Sequence, residues 1–304
     1  MTRAPHRVRK APVGFSRRGP FVSRHPGVQF SYDGKESHHV GTSSENELPV
    51  WDGASYAANT GHHRLTDAAF LDTVTFGPTD RVLDIGCGAG DFTRKVADLI
   101  PDGWVTGVDP SASLLDHARG IAGPNQVFQG LRAQELARVE RDRDFDAILS
   151  RATLHWVPKV DHPGVLLAAR DLLRPGGILR LEFGGGDNID EMRLWLNEIA
   201  AVHGGSADPW YFPQAGEYLD LIDGAGFDLS EGWVRLIGQR RSFDRVGLIG
   251  WLTSQAVQAH EVAMTTEGAA AFRSQVVEEV DRMRRPDGTY DLTFTRMDVS
   301  ARRR

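Results

Sequence analysis

The 304-residue chain has a single cysteine, Cys87. A lone thiol excludes an internal disulfide and any multi-cysteine metal site. No apolar run approaches the roughly 18–20 residues that a membrane-spanning helix needs. The basic residues after Met1 lead into no apolar stretch, so a secretory signal is not expected and the cytoplasm is the expected location. Positive charge is concentrated at one end: residues 1–45 hold eight Lys/Arg against three Asp/Glu, and with −6 overall the remainder carries −11. So acidic a body argues against a main task of gripping a phosphate backbone, and nucleic acid is not an expected partner. The His38-His39 and His62-His63 pairs lack companion ligands at metal spacing, and no metal site is expected.

What remains is ordinary globular composition, 40% hydrophobic and 25% charged, enough to bury a sizeable core. Residues 1–50, rich in Pro, Gly, Ser and Arg without periodic hydrophobicity, read as a basic flexible extension. The stretch Ala54–Phe76 has helical spacing, with Leu65, Ala69 and Val74 recurring among polar residues. Strand and helix signals then alternate. Short apolar strands are expected at Arg81–Gly86, Trp104–Asp109, Gln126–Gln129, Phe145–Ser150 and Ile178–Phe183. Between them come helices over Asp91–Ile100, around Leu114 and Leu115, and from Val165 to Leu173, the last stopped by Pro175-Gly176-Gly177. Nearly continuous apolar strands alternating with helices mean an α/β fold whose parallel sheet is covered on both faces. Beyond Gly186 the pattern changes. Helices are expected over Ile189–Val202, Pro213–Asp223, Gly247–Val262 and Glu267–Met283, with strands at Val234–Gln239 and Tyr290–Ser300.

The sharpest local signal is Val82-Leu83-Asp84-Ile85-Gly86-Cys87-Gly88-Ala89-Gly90-Asp91. A glycine-rich turn between a strand and a helix lets a ligand approach backbone N–H groups closely. The glycines are spaced GxGxG, an acid (Asp84) stands just before them, and a second acid (Asp109) ends the next strand. From there a carboxylate can accept both hydroxyls of an adenosine ribose. The bare turn leaves two other readings open, a dinucleotide site and a tight turn with no ligand.

The ordered set VLDIGCGAGDFT, VTGVDPS, FDAILSRATLHWVP and LLRPGGIL resembles the class I S-adenosylmethionine (SAM)-dependent methyltransferases. Within them it is similar to the branch holding trans-aconitate methyltransferase and the malonyl-thioester methyltransferases of the biotin pathway. The resemblance spans roughly Trp51–Arg302. It implies a Rossmann-like, seven-stranded, mostly parallel sheet with helices on both faces and a C-terminal helical cap. A SAM-binding core would occupy 51–186, and 187–304 would complete the sheet and cap the acceptor pocket. It also implies SAM as cofactor, held by Asp84, Gly86, Cys87, Gly88, Gly90, Asp109, Pro110, Ala133, Gln134 and Ser150. In that frame the glycine turn makes room for the methionine part, and Cys87 is a small filler. Trp51, Asp52 and Tyr56 match an element before the core whose tyrosine lies near the sulfonium, with plain packing as the alternative.

Two positions depart from the family pattern. Arg132 stands where an acid usually accepts the adenine amino group, so Gln134 or a backbone carbonyl must do so, since an arginine has no acceptor. Arg151 stands where asparagine is usual; it holds an anionic acceptor or the SAM carboxylate, or pairs with a nearby acid. His155 is a candidate general base, with polar lining and packing as its other readings. Trp210, Tyr211, Phe212 and Trp251 offer aromatic walls, with cap packing as the alternative, and Arg240, Arg241 and Arg245 offer positive charge to an acceptor, with solvated surface as the commoner reading. The expected activity is methyl transfer to a small-molecule or carrier-tethered acceptor, carboxylate O-methylation ahead of other O-, N- or C-methylation. A non-catalytic SAM-fold binding protein is the reading from another class. The sequence leaves the oligomeric state open.

Overall fold

The computed structural model describes residues 67–140, 144–206 and 208–304. The extension, the paired histidines His38, His39, His62 and His63, and Trp51, Asp52 and Tyr56 lie outside the described residues. Five strands, β1 (Arg81–Ile85), β2 (Trp104–Val108), β3 (Gln126–Gln129), β4 (Phe145–Arg151) and β5 (Leu173–Gly184), are parallel. β7 (Tyr290–Arg303) runs antiparallel to β5, and β6 (Phe227–Phe243) antiparallel to β7. The sheet order is β3-β2-β1-β4-β5-β7-β6, reversing direction of travel after β3 so that the C-terminal ends of β1 and β4 flank a switch point.

Helices cover both faces because side chains alternate along each strand. On β1, Val82 joins Phe70, Val96 and Ile100 on one face, while Leu83 and Ile85 join Leu166, Tyr218 and Ile222 on the other. α1 (Asp91–Leu99) therefore covers the first face, and α3 (His162–Leu172) and α5 (Ala215–Gly224) the second. A register irregularity between Phe145 and Ala147 sends Phe145 to the face opposite Ala147, although two-residue spacing would put them together. α2 (Ala112–Gly120) starts at Ser111, whose hydroxyl accepts from the Leu114 N–H. α4 (Asp190–Val202), α6 (Arg245–Gln255) and α8 (Thr266–Arg282) share a separate apolar cluster with Trp210, Trp251 and Phe294. No helix among the described residues is long and apolar enough to cross a membrane.

Four expectations need correction. Pro175-Gly176-Gly177 does not separate helix from strand: α3 ends at Leu172, and β5 starts at Leu173 and passes through the Pro-Gly-Gly step. β6 runs 17 residues, far beyond Val234–Gln239, because pairing to β7 sustains it through polar residues that bury no face of their own. The helix expected over Gly247–Val262 breaks at Ala256 (φ −122°, ψ −53°) into α6 and the short α7 (Val257–Glu261). Within Ala54–Phe76, the described part is helical only over 67–71.

Where β5 and β7 meet, charges and not hydrocarbon fill part of the first face. Arg180 (side chain 4% exposed) pairs with Asp298 (2%) at 2.5 Å, lies 4.4 Å over Phe70, and donates to Thr73 Oγ1 and to the Leu181 and Val299 carbonyls. Asp298 also accepts from Trp233 Nε1 at 2.8 Å and Arg235 at 2.7 Å. Removing one partner strands the other charge in a dry place, whereas removing both does not. Asp298→Ala is expected to cost about 3–5 kcal/mol, read by urea unfolding. The Arg180→Met/Asp298→Leu double variant is expected to recover most of that loss.

Candidate active site

The glycine turn is built by the ends of two strands. Gly86 and Cys87 donate backbone N–H groups to the Val108 carbonyl at 2.8 and 3.1 Å. Asp109, one residue further, accepts from the Gly88 N–H at 3.0 Å and from the Ser111 N–H at 2.9 Å, one on each oxygen. Gly86, Gly88 and Gly90 all have positive φ (75°, 53° and 86°), a conformation that disfavours side chains. A Cβ on Gly86 would also lie 2.1 Å from Thr153 Oγ1, so the loop after β4 packs directly on this turn. Asp84 is buried, accepts from Thr93 Oγ1 at 2.6 Å, and has its pKa pushed up to about 7. Burial is the main cause; the Thr93 hydrogen bond opposes it, and the neighbouring charge of Asp109 adds to it.

Around this turn the other anticipated residues take different parts. Cys87 is buried against Leu115, Ala118 and Phe128, and burial raises its pKa, so the thiol stays protonated filler. Pro110 is exposed directly after Asp109. Ala133 is buried at the start of a 3-10 turn, Ala133–Arg138. Gln134 is exposed and donates to Asp161 Oδ2 at 3.0 Å, which leaves its Oε1 as the acceptor. Ser150 donates to the Ile85 carbonyl at 2.9 Å and is 1% exposed, so its side chain ties β4 to β1.

For Arg151, ligand binding and pairing with a nearby acid were both open. Its guanidinium is buried between Phe70 and Phe92, pairs with Asp67, and meets Glu182 at 2.9 Å; Lys95 reaches the same Asp67 at 2.5 Å. Two carboxylates already neutralise it, so the pairing role is the one its surroundings support. Arg240 pairs with Asp291 and Arg245 with Asp281, each at 2.6 Å, while Arg241 contacts Gln239 and lies over Phe294. Arg240, Arg241 and Arg245 do not line the pocket described next.

A partly open pocket lies between the loop after β4 and the helical cluster. Among the described residues, five rings wall it: Trp156, Trp210, Phe212, Trp251 and Phe294. Tyr211, expected with them, instead packs edge-on against His162, ring centroids 4.8 Å apart. Polar lining comes from His155, Asn188, Gln255 and Arg296. Asn188, Gln255 and Arg296 were not anticipated. Arg296 had a readable signal, since it shares a strand face with Phe294 and Asp298, where a charge among buried neighbours demands a partner or a ligand.

His155 is not placed as a base. Its Nδ1 accepts the Gly184 N–H at 3.2 Å, so in the neutral ring the proton sits on Nε2. Burial first, then the positive charge of Arg296 and the neighbouring His162, lowers its pKa to about 3. Across physiological pH this ring is a neutral hydrogen-bond donor.

A family profile described as "Methyltransferase domain" matches residues 82–177. Trans-aconitate 2-methyltransferase of Streptomyces avermitilis is 31% identical over 234 residues, covering 66% of this chain and 83% of that protein. The Deinococcus radiodurans enzyme of the same name is 34% identical over 160 residues, but the match spans only 49% of this chain and 58% of that protein. The chain belongs to the class I SAM-dependent methyltransferases. The YcgJ protein of Bacillus subtilis shares the fold at 16% identity and a TM-score of 0.54, covering 80% of this chain and 99% of that one.

The residues present fit the cofactor of this family. The turn raises no side chain at Gly86, Gly88 or Gly90, and each Asp109 oxygen spends one lone pair on backbone and keeps another for a ribose hydroxyl. Asp84 is the buried carboxylate nearest in sequence to the turn, suited to the cationic end of the methionine part. A cation beside Asp84 favours its ionised form, so cofactor binding should release a proton wherever the free carboxyl is protonated. Affinity for S-adenosylhomocysteine, measured calorimetrically, is therefore expected to fall as pH drops below about 7, approaching tenfold per pH unit. Asp84→Asn is expected to flatten that dependence.

Proposed function

We propose that this protein transfers the methyl group of SAM to a carboxylate oxygen of a small-molecule acceptor bound in the aromatic pocket, with the C-terminal helices setting acceptor choice. The observation that carries this reading is the polarity of the lining. Gln255 aside, the polar side chains offer hydrogens. Arg296 and the tryptophans have only donors, and His155 carries its proton on Nε2. Asn188 uses Oδ1 to accept the Thr295 N–H at 3.0 Å, which leaves its Nδ2 to donate. A pocket of donors suits an acceptor rich in oxygen lone pairs and carrying negative charge. The names of the curated relatives, which refer to a carboxylic acid, support the same reading.

When bound, SAM supplies a methyl carbon on a sulfonium; the carboxylate oxygen forms the new bond to carbon, sulfur takes the old bonding pair, and no proton moves. The protein's part is alignment and exclusion of water. A carboxylate is ionised at neutral pH, so the absence of an available base at His155 costs nothing. His155 and Arg296 hold the acceptor by hydrogen bond and charge, while the rings keep the site dry.

Methyl-labelled SAM should give a product whose label mild alkali releases as methanol, the mark of an ester; an alkali-stable product from an amine or carbon acceptor would contradict the proposal. His155→Gln is expected to lower kcat/KM by roughly tenfold, below the 10²–10⁴ lost when a general base is removed. SAM binding without any transfer across a panel of acids would favour a non-catalytic protein.

A further inference from the structure

We propose that the side-chain amide of Gln134, held in one orientation by Asp161, reads the adenine edge of the cofactor. This rests on the SAM site described above and is independent of the acceptor. The carboxylate that suits the ribose, Asp109, directly follows β2, and the chain leaving β3 turns beside it. The Asp109 and Leu131 N–H groups both donate to the Gln129 carbonyl, at 3.2 and 3.1 Å. A base carried by that ribose is thus placed against residues 130–136. Three polar side chains stand there. Arg132 has only donors. Glu135 is engaged by the turn itself, accepting the Arg132 N–H at 3.0 Å on one oxygen and pairing with Arg138 through the other. Gln134 is exposed, and its Nε2 donates to Asp161 Oδ2 at 3.0 Å.

That hydrogen bond decides which way the amide faces. A carboxylate accepts and does not donate, so only the nitrogen of Gln134 can turn toward Asp161, and Oε1 points elsewhere. With the hydrogen trans to Oε1 given to Asp161, Oε1 and the second Nε2 hydrogen lie side by side, an acceptor next to a donor. Adenine presents the complement, an amino group that donates beside a ring nitrogen that accepts, and a glutamine amide matches both at once. Asp161 is a positioning residue that comes from another element, directly before α3 and 27 residues along the chain. Ala133 and Leu136 share an apolar cluster with Val165, Leu166 and Ala169 of α3, so packing as well as the hydrogen bond holds Gln134 and Asp161 together.

The test is calorimetric titration of the full chain with S-adenosylhomocysteine and with S-inosylhomocysteine. The inosyl ligand carries an oxo group in place of the amino group and a hydrogen on the adjacent ring nitrogen, so it sets an acceptor against Oε1. The wild type is expected to bind it on the order of 10–100-fold more weakly than the adenosyl ligand. Asp161→Asn keeps the shape, but its amide can either accept from or donate to Gln134. The glutamine is then free to turn, and the preference is expected to shrink to a few-fold at most. Gln134→Leu is expected to weaken S-adenosylhomocysteine by roughly tenfold and to leave S-inosylhomocysteine almost unchanged. Thermal unfolding checks that each variant is folded. Equal binding of the two ligands by the wild type, a full preference retained in Asp161→Asn, or equal loss of both ligands in Gln134→Leu would overturn the inference. Folded wild-type protein that binds neither ligand would overturn the SAM site itself.

Discussion

Two strand ends and the glycine turn are tied together at one carboxylate. Asp109 takes a hydrogen from Gly88 with one oxygen and from Ser111 with the other, while the Val108 carbonyl just before it takes those of Gly86 and Cys87. The turn after β1 is thus defined by β2, and with it the start of α1 and the floor on which Thr153 packs. Ser150 extends the same arrangement to β4 through the Ile85 carbonyl. Desolvation raises the pKa of Asp109, and the two backbone hydrogen bonds oppose that shift. The carboxylate that organises the turn is also the one with lone pairs left for a ribose.

Much of this was legible because it depends on local chemistry. Continuous apolar strands gave β1 to β4 within a residue or two of their observed ends, and the GxGxG spacing with its two acids located the turn. The failures share a physical cause, dependence on a partner distant in sequence. β6 extends through Arg240 and Arg241 because β7 pairs with it, not because its own pattern alternates. The base reading of His155 fails on one N–H from Gly184, 29 residues away. The sequence left Arg151 open between ligand binding and acid pairing because the acids that engage it, Asp67 and Glu182, lie on other elements. Asn188 and Gln255 carry no motif, and only the packing of the helical cluster against the loop after β4 brings them to the pocket.

The two halves of the site divide the chemistry. Asp84 and Asp109 stand at the glycine turn, and donors with one guanidinium line the aromatic pocket. That division suits a reaction between a sulfonium and an anion, whose charges cancel as the bond forms. The buried ionic group around Arg180, Asp298, Arg151 and Glu182 sits on β4, β5 and β7, the strands that also present the loop after β4 and Arg296. Its expense in desolvation is consistent with fixing the register that sets Gly184 opposite Arg296.

The central claim, that the turn and Asp109 form a SAM site, is tested most directly by calorimetric titration of SAM and S-adenosylhomocysteine into wild-type and Asp109→Ala protein. The account predicts saturable binding of both ligands by the wild type and a loss of at least about 100-fold in the variant, two charge-assisted hydrogen bonds being removed. Folded wild-type protein that binds neither ligand, or an Asp109→Ala variant that binds as tightly as wild type, would contradict it.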